Sequence, residues 1–299
     1  MRIRGCITAV LIDGGVLGFI ESGPVFRRLS AQPWSLMDLD VSMAGNWSPL
    51  AGSGAAVHSL CCLVMTPNNW TMIEHEFETR DAASIAAADR ILAALRRRLT
   101  ADAKTSLVVS GGTSPRRCLR ELAVADIAWS NVHLVLSDER WVPPDSSDSN
   151  ERFVRETLLQ NAAKGARLQG VYREGLSVEK RAVELDGELR LQPLPFACSL
   201  LGMGADGHFA SLFPDAENLA DGVDMGLPAM CIPVRTAASP YARISLTLSA
   251  LSRSDEIVLL LFGHEKWAVL QAAKRSADAF PVSRLLLQKR APVHVYWAP

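Results

Sequence analysis

Short apolar runs alternate with turn-rich and amphipathic stretches from about residue 72 onward. Most runs lack the polar alternation of a half-solvated sheet, so they predict strands buried on both faces of a parallel sheet. They occupy residues 106–110, 132–137, 196–202, 230–234, 243–248, 256–262 and 293–297. Because helical stretches separate many of them, the pattern predicts an α/β fold: a doubly wound, mostly parallel sheet flanked by helices, Rossmann-like in arrangement.

A long amphipathic helix is predicted ahead of the first of these strands. Its apolar residues recur at steps of three and four: Ile85, Ala88, Leu92, Leu95 and Leu99. Asp81 would cap the N-terminus, and arginines at 96–98 suit the negative end of the helix dipole. We therefore expect residues 72–299 to form a single α/β domain that carries the chemistry.

Residues 1–71 have a different character. From residue 21 to about 70 the chain is rich in Gly, Ser, Pro and Trp and sustains neither a helical nor a strand period. Two hypotheses stay open: Met72 is the natural start and the first 71 residues are a mis-assigned upstream stretch, or they form a weakly ordered N-terminal extension. Residues 6–20 resemble a signal peptide only faintly, because Asp13 and glycines interrupt the apolar stretch and no clean cleavage site follows.

Composition narrows the range of partners. The chain has 299 residues, of which 48% are hydrophobic and 21% charged, as in an ordinary globular protein. Since 31 basic residues face 32 acidic ones, no bulk positive field favours nucleic acid. No apolar window approaches the about 18 residues of a membrane helix. The six cysteines are scattered without a C-x-x-C pair, which is typical of free thiols in a reducing, cytoplasmic setting.

In a doubly wound sheet the ligand lies beyond the carboxyl ends of the strands, so the loops there are the candidate sites. The first loop, residues 110–115, contains Gly111, Gly112 and Thr113 and enters a helix with Ser114 as a candidate cap. Paired glycines and a helix N-terminus together make a phosphate cradle. A plain strand-to-helix turn is the alternative, and the lysine of a Walker loop is missing.

The second loop, residues 137–144, has three adjacent charges after an apolar run: Asp138, Glu139 and Arg140. At the end of a buried strand such charges need partners or a polar ligand, because their desolvation is costly. Asn150 is expected to begin the helix that follows. A solvated charged turn is the alternative.

The third loop, residues 202–214, contains G-x-G-x-x-G after a strand. We reject a dinucleotide site, because Pro214 follows too soon for a long helix and the motif lies far from the first βαβ unit. The loop also contains Asp206 and His208. An Asp two residues from a His can fix the imidazole tautomer, and histidine is the usual general base near neutral pH. The alternative is a structural histidine.

Two cations lie at other strand or loop boundaries, Arg243 before residues 244–248 and Lys266 after residues 256–262. Each could clamp an anion, although as single residues they are more often surface charges. The sequence contains neither the G-x-S-x-G elbow of serine hydrolases nor a zinc H-E-x-x-H motif, and no Cys/His metal spacing.

Taken together, SGGTSP, SDERWVPPDSSDSN and LGMGADGHFASLFP, in that order, resemble the 6-phosphogluconolactonase family from about Met72 to the C-terminus. Its broader superfamily of sugar-phosphate isomerases and deaminases includes glucosamine-6-phosphate deaminases. The segment S-L-F-P at 211–214 favours the lactonases. The resemblance implies hydrolysis of 6-phospho-D-glucono-1,5-lactone to 6-phosphogluconate in the oxidative pentose phosphate pathway, with no metal and no organic cofactor.

The resemblance also implies roles for the loop residues. His208 would act as base on water with Asp206 orienting it, while Asp138 and Arg140 would line the sugar site. The phosphate would lie among the amides of Gly111, Gly112 and Thr113, with Arg243 and Lys266, and Asn150 would support the charged loop. The family more often has Thr after its D-G-H; here Phe209 follows, and its bulky ring is expected to trim the pocket or alter the rate.

Two other functions stay open from the sequence. One is a deaminase or isomerase acting on glucosamine 6-phosphate, and the other is a non-catalytic sugar-phosphate sensor. A sensor that regulates genes should carry a basic helix-turn-helix, which residues 1–71 do not offer. The resemblance implies a small sugar-phosphate lactone as the partner, with no nucleic acid and no membrane, and the expected assembly is a monomer or weak homo-oligomer.

Overall fold

The protein is built around a large parallel sheet. Its structure, a computed structural model, describes residues 7–12, 15–21, 61–63 and 72–299. The strands of this sheet are β3 (Cys61–Leu63), β4 (Met72–Glu76), β5 (Thr105–Val109), β6 (Val132–Leu136), β8 (Arg167–Leu168), β9 (Cys198–Leu201), β12 (Ile257–Phe262) and β13 (Val293–Ala298). Their order is β3-β4-β13-β12-β9-β5-β6-β8, and every pair is parallel except β3–β4. The predicted α/β fold with a mostly parallel sheet is confirmed.

Helices cover both faces of this sheet, which is why its strands read as unbroken apolar runs. The helices of the described residues are α1 (Arg80–Ala101), α2 (Arg116–Ala123), α3 (Asn150–Thr157), α4 (Val178–Arg190), α5 (Leu219–Gly222), α6 (Leu248–Leu251), α7 (His264–Ala273) and α8 (Pro281–Leu287), with 3₁₀ turns at Trp129–Asn131 and Asn161–Gly165. Every residue of β5, β9 and β13 is buried.

The structure corrects two predicted helix caps. Helix α1 begins at Arg80 and is capped by Thr79, whose hydroxyl accepts a hydrogen bond from the NH of Ala82, so Asp81 lies inside the first turn. Helix α2 begins at Arg116 with Pro115 in the cap position and no side-chain cap, so Ser114 does not cap it. A carboxylate in the first turn still suits the helix dipole, which explains why Asp81 resembled a cap.

A second, antiparallel sheet lies beside the first. It contains β7 (Asp138–Arg140), β10 (Cys231–Val234) and β11 (Arg243–Leu246) in the order β10-β11-β7. The expectation that 230–234 and 243–248 belong to the parallel sheet is therefore wrong, although both are strands. The connection between β10 and β11 is too short for the crossover that parallel strands require. The charged residues 138–140, expected in a loop, form a strand here.

The N-terminal region is described only in part. Strands β1 (Ile7–Ile12) and β2 (Gly15–Glu21) pair in an antiparallel hairpin, and β3 pairs with β4. The rest of the predicted extension, residues 1–71, lies outside the described residues. Within the part of the chain that is described, no helix combines the length and apolarity needed to cross a membrane.

Candidate active site

Three loops meet at the carboxyl edge of the large sheet, around a cavity of about 240 Å³. They follow β5, β6 and β9, which are neighbours in the parallel sheet, so their carboxyl ends share one edge. Predicted site residues that line the cavity are Gly111, Gly112, Thr113, Asp138, Arg140, Asn150, His208, Arg243 and Lys266. Asp206, the remaining one, contacts His208. The sequence therefore predicted which side chains come together.

His208 and Asp206 form a hydrogen-bonded pair. The Nδ1 of His208 lies 2.6 Å from Oδ1 of Asp206, which also accepts the main-chain NH of His208 at 3.2 Å. A carboxylate accepts from an imidazole NH, so this contact favours the tautomer with its proton on Nδ1 and a lone pair on Nε2. The ring of Phe213 packs on the imidazole with centroids 4.2 Å apart. The arrangement leaves Nε2 as the nitrogen that can take a proton.

The glycines of this loop make the pair possible. A Cβ atom on Gly204 would lie 2.3 Å from Nδ1 of His208 and 2.4 Å from Oδ1 of Asp206. Gly207 has a φ of +77°, in the region that favours glycine. Its carbonyl accepts the NH of Val282 at 2.9 Å, which ties the loop to the start of α8. The G-x-G-x-x-G pattern thus serves a tight turn around the His–Asp pair.

Asp138 is a fully partnered buried anion. Its Oδ1 accepts the Ser137 hydroxyl at 2.8 Å, and its Oδ2 accepts the Ser211 hydroxyl at 2.7 Å. The guanidinium of Arg243 lies 3.7 Å from Oδ2 and packs over the Phe213 ring. Burial lowers the pKa of Arg243, and the nearby Asp138 opposes that shift. Each oxygen of Asp138 thus accepts one hydrogen bond, and its carboxylate positions Ser211 and Arg243 beside the cavity.

Sequence reasoning missed the two serines. Ser137 and Ser211 are completely buried, and Ser137 also contacts the hydroxyl of Ser110, at 2.9 Å, at the end of β5. Both were inside the quoted motifs, but a serine carries no signal that distinguishes a hydrogen bond across the fold from a turn. Their roles depend on contacts that only the folded chain brings together.

The glycine loop after β5 is held by Asn150. A Cβ atom on Gly111 would lie 2.0 Å from Oδ1 of Asn150, so this position accepts only glycine, and the adjacent Gly112 has a φ of +94°. The Nδ2 of Asn150 donates to the carbonyl of Asp138 at 2.8 Å. Asn150 is the first residue of α3, as predicted. It therefore connects the glycine loop with β7.

Lys266 reaches the cavity from the first turn of α7. Burial lowers the pKa of its ammonium, whereas the carboxylates of Glu265 and Asp206 raise it. Lys266, Arg140 and Arg243 bring three cationic side chains to one cavity. Such a set suits a ligand with several negative charges.

Phe209 lies away from the cavity, in the core. Its side chain is completely buried, and its main chain bridges to Leu212. The expectation that its ring trims the pocket is therefore wrong, because the side chain after His208 turns inward. The third loop thus contributes Ala210, rather than Phe209, to the cavity lining.

Comparisons with known proteins identify the family of the chain. A family model described as "Glucosamine-6-phosphate isomerases/6-phosphogluconolactonase" matches residues 78–297. The chain belongs to this family. Within it, the chain is 37% identical over 231 residues to the 6-phosphogluconolactonase of Mesorhizobium japonicum, covering 77% of this chain and 95% of that protein.

Other relatives carry the same name. The chain is 38% identical over 207 residues to the 6-phosphogluconolactonase of Pseudomonas aeruginosa, covering 69% of this chain and 86% of the relative. A crystal structure of a 6-phosphogluconolactonase from Shewanella baltica superposes with a TM-score of 0.72 at 36% identity, covering 76% of this chain and 97% of that one.

Proposed function

We propose that the protein hydrolyses 6-phospho-D-glucono-1,5-lactone to 6-phosphogluconate, the second step of the oxidative pentose phosphate pathway, in the cytoplasm. The observation that carries the proposal is the His208–Asp206 pair, whose histidine lines the same cavity as the glycine loop and three cations. The names of its relatives support the choice of substrate. The reaction requires one base and one stabiliser of an oxyanion, and this cavity offers both.

The chemistry begins with a water molecule next to Nε2 of His208. The imidazole takes a proton from the water while the water oxygen forms a bond to the lactone carbonyl carbon. The carbonyl π electrons move to oxygen, and a cation of the cavity stabilises the resulting charge. The ring C–O bond then breaks, and the imidazolium returns the proton to the departing oxygen. Asp206 keeps the imidazole in the useful tautomer and stabilises its charged form.

Substrate binding would use the remaining residues. The amides of Gly111, Gly112 and Thr113, with Lys266 and Arg243, would hold the phosphate at the N-terminus of α2. Arg140 would contact the sugar and its developing charge. Asp138 would hold Arg243 and Ser211, and the acceptor positions that its two oxygens leave free would bind a hydroxyl group of the sugar. A phosphate clamp far from the carbonyl supplies binding energy for orientation.

The test is hydrolysis of fresh lactone, with 6-phosphogluconate measured by a coupled dehydrogenase above the spontaneous background. We expect the wild type to accelerate the reaction and His208→Ala to lose about 10²–10⁴-fold in kcat. A matched control is His133→Gln, since His133 contacts Gln192 outside the cavity. Equal turnover by wild type and a folded His208→Ala variant would contradict the base assignment. Ammonia release from glucosamine 6-phosphate without lactone hydrolysis would favour the deaminase alternative.

A further inference from the structure

Glu139 is a buried carboxylate that the proposed mechanism does not use. Glu139 is the middle residue of β7 and is only 1% exposed. Successive side chains of a strand point to opposite faces, so Glu139 faces away from Asp138 and Arg140, which line the cavity. Glu139 is not part of the cavity lining. Any effect it has on the reaction must pass through other residues.

The carboxylate accepts four hydrogen bonds. Oε1 accepts the main-chain NH groups of Arg140 at 2.7 Å and Asn150 at 2.8 Å. Oε2 accepts the NH of Glu151 at 2.7 Å and the hydroxyl of Ser149 at 3.0 Å. An ionised carboxylate has about four acceptor positions. All four positions are therefore used, and three of the four bonds join β7 to the start of α3.

Through Asn150, these bonds reach the cavity wall. The NH of Asn150 is bound by Glu139, while its side chain donates to the Asp138 carbonyl and packs against Gly111. On the other side of β7, the Nη1 of Arg140 donates to the carbonyl of Asp148, one residue before Ser149. A single carboxylate thus sets the distance between three segments that contribute cavity residues.

Helix capping alone does not explain the burial of this charge. Ser149 already caps α3, because its Oγ accepts the NH of Arg152 at 3.2 Å. Burying a carboxylate costs free energy, and here burial raises the pKa of Glu139 to about 7 although four hydrogen bonds act in the opposite direction. Besides capping α3, the carboxylate binds the NH of the cavity residue Arg140 and that of Asn150, which contacts Gly111, and these bonds point to a role in the geometry of the site.

We propose that Glu139 is a positioning residue for substrate binding: its carboxylate holds Arg140, Asn150 and, through Asn150, the Gly111 loop in the arrangement that receives the substrate. The assignment rests on the proposed function for the identity of that substrate. His208 and Asp206 belong to another loop with contacts of their own. Loss of Glu139 should therefore weaken binding more than it slows the chemical step.

The test variant is Glu139→Gln, which keeps the shape but sets an NH₂ group against NH donors at one of the two oxygen positions. We expect KM for the lactone to rise at least tenfold, kcat to fall by a smaller factor because Arg140 also faces the developing charge, and the pH profile of kcat to keep its midpoint. The matched control is Glu151→Gln: Glu151 is also buried at the start of α3, but its side chain pairs with Arg155. Its KM should stay within twofold of wild type.

A second variant and a binding measurement cover the remaining outcomes. Glu139→Asp keeps the charge and should fold even if the amide variant does not, with a KM between those of wild type and Glu139→Gln. Calorimetric binding of 6-phosphogluconate should weaken in parallel. If wild type binds this compound without hydrolysing the lactone, the proposed function fails while the weaker binding of Glu139→Gln still supports positioning. An unchanged KM in both variants, with activity lost only in proportion to unfolded protein, would overturn the inference.

Discussion

At the scale of single residues, the site depends on how closely two loops approach each other. Gly111 touches the amide of Asn150 so closely that the methyl group of alanine has no room, because its carbon would lie 2.0 Å from Oδ1. Either the glycine loop or Asn150 would have to move. Since Asn150 also binds the Asp138 carbonyl, the displacement would spread to β7.

Gly111→Ala is therefore expected to raise KM for the lactone at least tenfold, because the cavity wall is displaced rather than the base. Gly187→Ala is the matched control. Gly187 lies inside α4 with open space around its Cα, so alanine there should raise the free energy of unfolding by about 0.5–1 kcal/mol and leave KM unchanged. Steady-state kinetics and urea unfolding of both variants test this. Equal KM values for Gly111→Ala and wild type would contradict the contact.

At the scale of elements, the sequence predicted the strands whose apolar pattern lies in consecutive residues. The strands at β5, β6, β9, β12 and β13 are apolar runs, and their periodicity needs no knowledge of neighbours. Strand β7 escaped prediction because Asp-Glu-Arg has no strand propensity. Its strand conformation comes from pairing with β11, about a hundred residues later, and from hydrogen-bond partners for both carboxylates.

The residues of the candidate site also fall into two groups, those in a local motif and those whose partners are distant in the sequence. His208, Asp206 and the glycine loop are local motifs, so their chemistry could be predicted. The roles of Ser211 and Glu139 could not, since Ser211 binds Asp138 across 73 positions of the sequence. For Phe209 the local motif led to a wrong prediction. Its position after His208 suggested that the ring lines the pocket, whereas the fold buries the ring in the core.

Helix α4 offers a test at this scale. Arg181 is fully buried and binds the carbonyls of Val171 and Gly170 as well as both carboxylate oxygens of Glu188. These bonds hold α4 against residues 170–171. The next residue, Tyr172, packs its ring against Trp141, which follows the cavity residue Arg140 in the chain. The buried guanidinium thus supports one wall of the site from behind.

Arg181→Met should lower the free energy of unfolding by about 3–5 kcal/mol, because it leaves buried carbonyls without donors and Glu188 without its main partner. The exposed pair of Arg235 and Glu179 gives the control: Arg235→Met should cost less than about 1 kcal/mol. Urea unfolding measures both values. Similar losses for the two variants would contradict the importance of burial.

At the scale of the whole molecule, a histidine pair between α1 and the sheet couples stability to pH. The Nε2 of His75 lies 3.3 Å from Nδ1 of His294, whose Nε2 lies 2.6 Å from Arg90. Glu256 lies 3.6 Å from His294, and Tyr296 stacks on His75. Burial and the positive charge of Arg90 lower the pKa of His75 to about 4 and that of His294 to about 3.

Both histidines are therefore neutral when folded and take up protons near pH 6.5 when unfolded. Their contribution to stability is complete above pH 6.5 and is lost as the pH falls towards 4. His75→Phe removes one of these groups and keeps the stacking on Tyr296. Between pH 7 and 5 the unfolding free energy of this variant should fall less steeply than that of wild type, and the two slopes should differ by at most about 1.4 kcal/mol per pH unit.

Urea titrations at several pH values measure the difference, which includes the effect on His294 because a charge on His75 helps to lower the pKa of His294. Parallel pH dependence in wild type and His75→Phe would exclude His75 as a source of acid sensitivity. The active site should be unaffected at pH 7, because neither His75 nor His294 lines the cavity.

The order of the strands in the large sheet has a consequence for synthesis on the ribosome. Strand β13 follows all the other described strands in the chain, yet it lies between β4, the first of the parallel strands, and β12. Until Ala298 has left the exit tunnel, the main-chain NH and carbonyl groups with which β4 and β12 bind β13 have no partner. We therefore expect the emerging polypeptide to depend on chaperones until β13 has emerged, and ribosomes stalled within β13 to carry chains without enzymatic activity.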